Sequence, residues 1–345
     1  MKTFTLALLS FSIWYTPVAR IIATEASSPS IQRTQEIELT KGWNAVYLEV
    51  APLDPEPNRV FADLPVDMAA TYYPGSTSSE QFITNPGINL AKSKGWGVWF
   101  TKERPEAFLG SLGAIYGQQA YLVHAKTATR WSLTGIVAPS MTRWRPDAYN
   151  LVGFGVRSQG TPSFAEFFSG SAAHNLQPIY RLVNDNWKKV TQANAESMRS
   201  GEAFWIYCKG SSDYQGPLRV ELPLNGGLML SGNPGAVILR NQTGNPLTPT
   251  FERVASGVNE LPVSMVMTMY GDPANPVKTV TVAKPTAPWT QELPSMEAGK
   301  ALSVPFENRS AQMTSSSQAA LLKITTDIGT EYWVPIYGFR PDLSK

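Results

Sequence analysis

The chain holds two histidines, His124 and His174, and one cysteine, Cys208, so the side chains that most often act near neutral pH are scarce. That scarcity sharply limits metal sites and acid–base triads. His124 falls in an apolar stretch that reads as a strand, and His174, between Ala173 and Asn175, reads as loop surface. A reactive thiol needs exposure and a neighbour that lowers its pKa. In a strand, Cys208 shares a side with Phe204 and Ile206 while Lys209 projects away with Trp205 and Tyr207, so the thiol is expected to be buried. One cysteine forms no internal disulfide.

Motif searches add no chemistry. No stretch has the G-x-S-x-G spacing of a serine nucleophile, and HExxH, paired CxxC and a Walker-type loop do not occur. Gly153-Phe154-Gly155 has half of a dinucleotide fingerprint, but Ser158 stands where the third glycine belongs, so it reads as a strand. Asp54-Pro55-Glu56-Pro57-Asn58 offers alternating oxygen ligands of the kind calcium takes, although its two prolines alone explain a rigid solvated loop. Asn241-Gln242-Thr243 and Asn308-Arg309-Ser310 have N-glycosylation spacing. A glycosidase carboxylate pair is defined by its separation in space and is not readable here. No catalytic residue, metal ligand or cofactor is assigned.

Tryptophan is the one excess, at ten residues. Exposed Trp and Tyr present an apolar face with a polar tip, a combination suited to sugar rings. Trp43, Trp99, Trp187 and Trp205 lie in strand-like stretches and are expected in the core. Trp144, beside Arg143, Arg145 and Pro146, and Trp289, after Pro288, are the carbohydrate-binding candidates.

These residues are organised by an internal repeat. Lys41-Gly42-Trp43-Asn44-Ala45-Val46-Tyr47-Leu48-Glu49-Val50 aligns with Asp147-Ala148-Tyr149-Asn150-Leu151-Val152-Gly153-Phe154-Gly155-Val156. An aromatic-Asn pair is followed in both by a period-two apolar face, the pattern of a half-buried strand. Further matches join Val60-Phe61-Ala62-Asp63-Leu64 to Ser163-Phe164-Ala165-Glu166-Phe167, each a short helix after a proline. Ala70-Thr71-Tyr72-Tyr73 aligns with Pro178-Ile179-Tyr180-Arg181, and the strand from Trp96 with that from Trp187. Gly117-Gln118-Gln119-Ala120-Tyr121-Leu122-Val123 aligns with Gly201-Glu202-Ala203-Phe204-Trp205-Ile206 across a one-residue gap, which sets His124 against Tyr207 and Ala125 against Cys208. Residues 131–135 and 218–222 are expected to close the two copies.

The Gly-Trp-Asn opening and the Gly-x-x-Ala-Tyr-Leu-Val closing strand resemble modules of large secreted and cell-surface proteins of bacteria. The resemblance covers residues 37–222 and implies an extracellular, non-catalytic role. The second copy departs from the pattern in having Tyr149 for the opening Trp.

Beyond Pro223 the pattern changes to short strands punctuated by Gly, Pro and Asn, at 236–239, 250–254, 263–269, 277–282, 301–306, 320–325 and 331–336. Seven strands in this length fit an immunoglobulin-like sandwich, with a jelly roll as the competitor. The clearest element is a hairpin reversing at 327–329, and Pro335 places its second strand at an edge or marks where it begins to leave the sheet. The expected fold class is therefore mainly β: two tandem β-rich modules with a short helix each, followed by an immunoglobulin-like β-sandwich. The divisions are a signal peptide at 1–26, a linker at 27–36, modules at 37–138 and 139–222, and the sandwich at 223–345.

The N-terminal segment has Lys2, an apolar run from Phe4 to Ala19, and small residues at Thr24 and Ala26, the features of a secretory signal cleaved after Ala26. No later segment is apolar for long enough to span a membrane. With 29 Lys plus Arg against 27 Asp plus Glu, no long-range field draws in nucleic acid. Export, duplication and the lack of catalytic motifs point to a secreted or cell-surface protein that is no enzyme and presents a binding or structural surface to a protein or glycan partner. A carbohydrate-binding protein and an extracellular hydrolase are the alternatives.

Overall fold

The computed structural model describes residues 31–73, 90–139, 141–224, 226–231, 233–257, 260–269, 278–281 and 286–340. The expected signal segment and the first residues of the linker lie outside them. The fold is mainly β. Its first part holds β1 (Gln32–Leu39), β2 (Gly42–Leu48), β3 (Val50–Pro52), α1 (Pro57–Val60), β4 (Val66–Tyr72), β5 (Trp96–Phe100), β6 (Gln119–Ala125) and β7 (Thr129–Val137). Then follow β8 (Ala148–Gly153), α2 (Phe164–Phe168), β9 (Ile179–Val183), β10 (Asn186–Lys189) and β11 (Ala203–Cys208).

Residues 32–36, expected as linker, belong to β1, which pairs antiparallel with β7 from Gln32↔Ile136 to Leu39↔Thr129. Its polar residues alternate on one face, so a strand carrying few apolar side chains passes for a linker. β1, β7 and β3 form a three-stranded sheet.

Two four-stranded antiparallel sheets follow, ordered β2-β6-β4-β5 and β8-β11-β9-β10. By position along the chain, both orders run first, fourth, second, third, with the short helix after the first strand. Trp43 faces His124 across one ladder and Tyr149 faces Tyr207 across the other; Gly42 faces Ala125, and Ala148 faces Cys208. The Asn of each aromatic-Asn pair clasps the chain entering its strand. Asn44 donates to Thr40 O (2.8 Å) and Gly42 O (3.0 Å), and Asn150 to Arg145 O (3.2 Å) and Ala148 O (3.0 Å). In β4 and β9 the pairing differs from the expected alignment by two residues. Ala70 faces Leu122 where Tyr180 faces Trp205, so the counterpart of Ala70 is Tyr180, not Pro178. A two-residue slip keeps every side chain on its face, so periodicity cannot detect it.

The two sheets lie face to face across one apolar cluster holding Tyr47, Ala70, Tyr72, Trp96, Val98 and Leu122 from the first and Trp187, Ala203 and Trp205 from the second. At the closest approach Gly153 meets Tyr47, and a Cβ at 153 would stand 2.2 Å from that of Tyr47. The two positions are matched in the expected repeat, and the Tyr47 side chain occupies the space that Gly153 leaves. The outer faces are covered differently. Ile37, Leu39, Trp131 and Leu133 from β1 and β7 and Phe61 beside α1 cover the first sheet. Phe164, Phe167 and Phe168 of α2 cover the second, and a capping box between Ser163 and Glu166 starts that helix.

The last part holds β12 (Leu218–Glu221), β13 (Leu228–Leu230), β14 (Gly235–Asn241), β15 (Pro249–Val254), β16 (Val263–Met269), β17 (Lys278–Thr281), β18 (Trp289–Glu292), β19 (Ala301–Asn308), β20 (Ser317–Thr326) and β21 (Glu331–Phe339). They form two five-stranded sheets, β12-β14-β19-β16-β17 and β13-β21-β20-β15-β18, which share a core of Val237, Leu239, Phe251, Phe306, Ile324 and Val334 among others. All seven expected strands are present, joined by β12, β13 and β18. Two expectations change. Leu218–Glu221 does not close the second copy but pairs with β14. Val50 pairs with Val137, whereas Val156, its match in the expected alignment, forms a bridge to Thr330 of the C-terminal part. Pro335 does not mark an outer strand: β21 lies between β20 and β13, and the parallel pairing with β13 begins one residue later, at Ile336. The missing N–H therefore costs no ladder bond.

Candidate binding groove at the module junction

A groove of about 580 Å³ lies where the segment after Pro139 crosses the open side of the C-terminal sheets. The partly exposed Val220 and Leu222 of the β12 side give it an apolar wall, β21 contributes Tyr332 to Val334, and Met141, Thr142 and Trp144 also line it. Gln215 fixes the segment after Pro139 by accepting from Thr142 N (2.7 Å) and donating to Thr142 O (2.9 Å). Arg219 is held between Asp213 (2.7 Å) and Glu221 (3.3 Å). Arg143 is exposed and has no ion-pair partner among the described residues. An apolar wall with a few fixed polar groups is the usual make-up of a ligand site.

Of the two carbohydrate-binding candidates only Trp144 reaches this groove, and it is not exposed as expected. It is 9% accessible, donates from Nε1 to Tyr214 O (2.7 Å), and its ring lies 3.9 Å from that of His174. The neighbouring arginines and proline made it read as surface, but tertiary packing lays the segment over the outer face of the second sheet. Trp289 sits in the outer strand β18, half-buried against the C-terminal core, far along the sheet order from β21. Met141, Gln215, Val220 and Trp333 were not singled out, because nothing local distinguishes a loop or strand residue that ends up beside a junction.

The histidines differ from one another. His174, expected at the surface, is 1% accessible: its Nδ1 lies 2.6 Å from Ser171 Oγ beneath Trp144 and Phe168. Burial lowers its pKa to about 4, so the ring is neutral. His124 is partly exposed, with Nδ1 2.6 Å from Asp67, which also takes Arg104 at 3.1 Å. That dyad lines neither the groove nor the crevice described next. Cys208 is buried with Phe204 and Ile206 as expected, its thiol reaches Gly210 O, and burial pushes its pKa up. The Asp54–Asn58 oxygens bond to protein groups, Asp54 accepting from Glu56 N (3.0 Å), Glu56 from Asn58, and Asn58 Oδ1 from Trp99 Nε1 (3.2 Å). Among the described residues no group of three or more His, Cys, Asp or Glu gathers as metal ligands. Asn241 is fully buried, with Nδ2 bonded to Asn245 O and Met296 O, so its glycosylation spacing is closed to a modifying enzyme in the folded chain.

Beside the groove a crevice of about 20 Å³, room for about one water, is lined by Tyr47, Glu49, Gln118, Glu331 and Trp333. Glu49 pairs with Arg33, whose guanidinium lies 4.5 Å above Trp333; the indole donates to Glu331 (2.8 Å), and Lys323 lies 3.5 Å from Glu331. Burial raises the Glu49 pKa to about 7 against the pull of Arg33, and the Glu331 charge adds to the rise. Two carboxylates thus meet where a single water fits and no sugar ring does.

Fold and site together define a mainly β protein with a recess lined by residues of both its middle and its C-terminal parts. No model of a known protein family matches the chain, and no curated protein matches it. No helix among the described residues is long and apolar enough to cross a membrane.

Proposed function

We propose that this chain is an exported, secreted or cell-surface protein without catalysis, that it consists of a duplicated β module followed by an immunoglobulin-like β-sandwich, and that the junction groove is its binding surface. The groove itself carries the reading: it combines an apolar wall with positioned polar groups, and neither histidine nor the buried thiol lines it. The shared strand order and the matched Asn44 and Asn150 clasps support duplication. Export rests on the N-terminal run, and N-terminal sequencing of the exported product is expected to begin near Ser27. An intact Met1 on the mature protein would sink that part of the reading.

The binding role is tested by screening residues 27–345 against a glycan array and a displayed library of random seven-residue peptides. Thr142→Trp fills the groove from its rim, and it is expected to abolish binding of ligands found with the parent protein while leaving the denaturation midpoint unchanged. Ligands that all bind Thr142→Trp as well as the parent would show that the groove is not the site.

A further inference from the structure

We infer that the groove takes a short extended peptide that adds its backbone to the open strand edges flanking it and carries an acidic group toward Arg143. This rests on the groove being the binding surface.

The backbone carries the argument. Glu331 N donates to Gly155 O (2.9 Å), away from β20. Ladder groups alternate sides along a strand, so the N–H and C=O of Trp333 point the same way, into the gap between the Thr330 bridge and the start of β13 at Ile336. On the facing wall, Pro217 O accepts from Gln242 N on the β14 side, whereas Leu218 N donates outward to Tyr332 Oη (3.3 Å). The same alternation turns Val220 N–H and C=O outward from β12, an outer strand of its sheet. Neither Val220 nor Trp333 has a backbone partner on that side among the described residues. Two unsatisfied rungs therefore face a recess with an apolar wall, the arrangement that an added strand satisfies.

Charge and aromatic geometry select the occupant. Arg219 is neutralised by Asp213 and Glu221, which leaves Arg143 as the uncompensated cation on the rim. A peptide side chain or terminal carboxylate complements it. Sugar stacking needs a free ring face, and here Trp144 lies against His174 while Trp333 lies under Arg33 and near Lys323.

The same random seven-residue library, panned on residues 27–345, is expected to yield sequences that alternate apolar residues and include an acid. Val220→Pro removes the outward N–H without touching a bond to β14, and it should weaken a synthetic copy of an enriched peptide at least tenfold with an unchanged denaturation midpoint. Arg143→Glu, which lies outside any strand, should weaken the same peptide at least tenfold and gives the reading independent of Val220→Pro folding. Enriched peptides that ignore both substitutions overturn the inference. Glycans as the sole ligands lost on Thr142→Trp also overturn it while leaving the groove in place as the binding surface. Ligands of either class that survive Thr142→Trp overturn the groove reading itself.

Discussion

Trp205→Ala is expected to lower stability by about 3–5 kcal/mol, the cost of truncating a fully buried tryptophan. Trp205 is completely inaccessible and forms edge contacts with Tyr72, Trp96 and Trp187 at centroid distances of 5.5, 6.2 and 6.2 Å. Two of those partners come from the first sheet and one from its own, so the cavity would open between the sheets. Gly153→Ala tests the same contact from the other direction, because its new Cβ meets the Tyr47 side chain at 2.2 Å and must displace it. Overpacking of this kind costs about 1–3 kcal/mol. Both variants are expected to shift a single urea transition followed by tryptophan fluorescence, since neither sheet has a covered inner face without the other. A first transition unaffected by Trp205→Ala, with a second one shifted, would mean that the two sheets unfold independently.

The second large effect concerns pH. Glu49 holds its proton in the folded state up to about pH 7, above the usual 4.5, so the stability it contributes is full below pH 4.5 and is lost as pH rises through 7. His174 works in the opposite sense. Its folded pKa, lowered to about 4 from 6.5, gives stability that is present above pH 6.5 and lost as pH falls through 4. Between about pH 4.5 and 6.5 the folded chain holds one proton more at Glu49 and one fewer at His174 than the unfolded chain, and the two slopes cancel. Glu49→Gln removes one side of that balance. Its stability relative to the parent is expected to rise with pH by about 1.4 kcal/mol per pH unit across that window. Chemical denaturation at half-unit intervals from pH 4.5 to 8 measures the difference profile, and a flat difference would show that Glu49 is ionised at the junction throughout. Subtracting the parent profile removes the ordinary carboxylates, which titrate alike in both proteins.

Several features were legible because their cause is local. The period-two faces of 46–50 and 152–156, the helix after Pro162 and the hairpin around 327–329 follow from neighbours a few residues apart, whereas of the helix expected at 60–64 only Val60 is helical, in α1. The relation of His124 to Tyr207 and of Ala125 to Cys208 was also legible, because the aromatic-Asn pair anchors the register of each first strand. Cys208 is buried on the face that alternation assigns it, but Trp205 on the opposite face is buried too, because both faces of β11 are covered. By contrast, Trp96–Phe100 is buried along its whole length, so it shows no alternation to say which face meets which layer.

The sequence by itself determined the mainly β class, the order of most strands and the scarcity of histidine and cysteine, since each is a property of composition or of short-range pattern. Only the tertiary structure decided which surfaces meet. That the two sheets share one core, that Thr330 bridges to Val156, and that β12 joins a C-terminal sheet all depend on contacts between residues far apart in the chain. The same holds for the groove. Trp144 and His174 look exposed among polar and small neighbours, yet they are covered by Tyr214 and Phe168, and Arg143 becomes a rim cation only where its segment crosses β12 and β21. Burial is set by the packing partner rather than by the adjacent residues, and no local period records who that partner is.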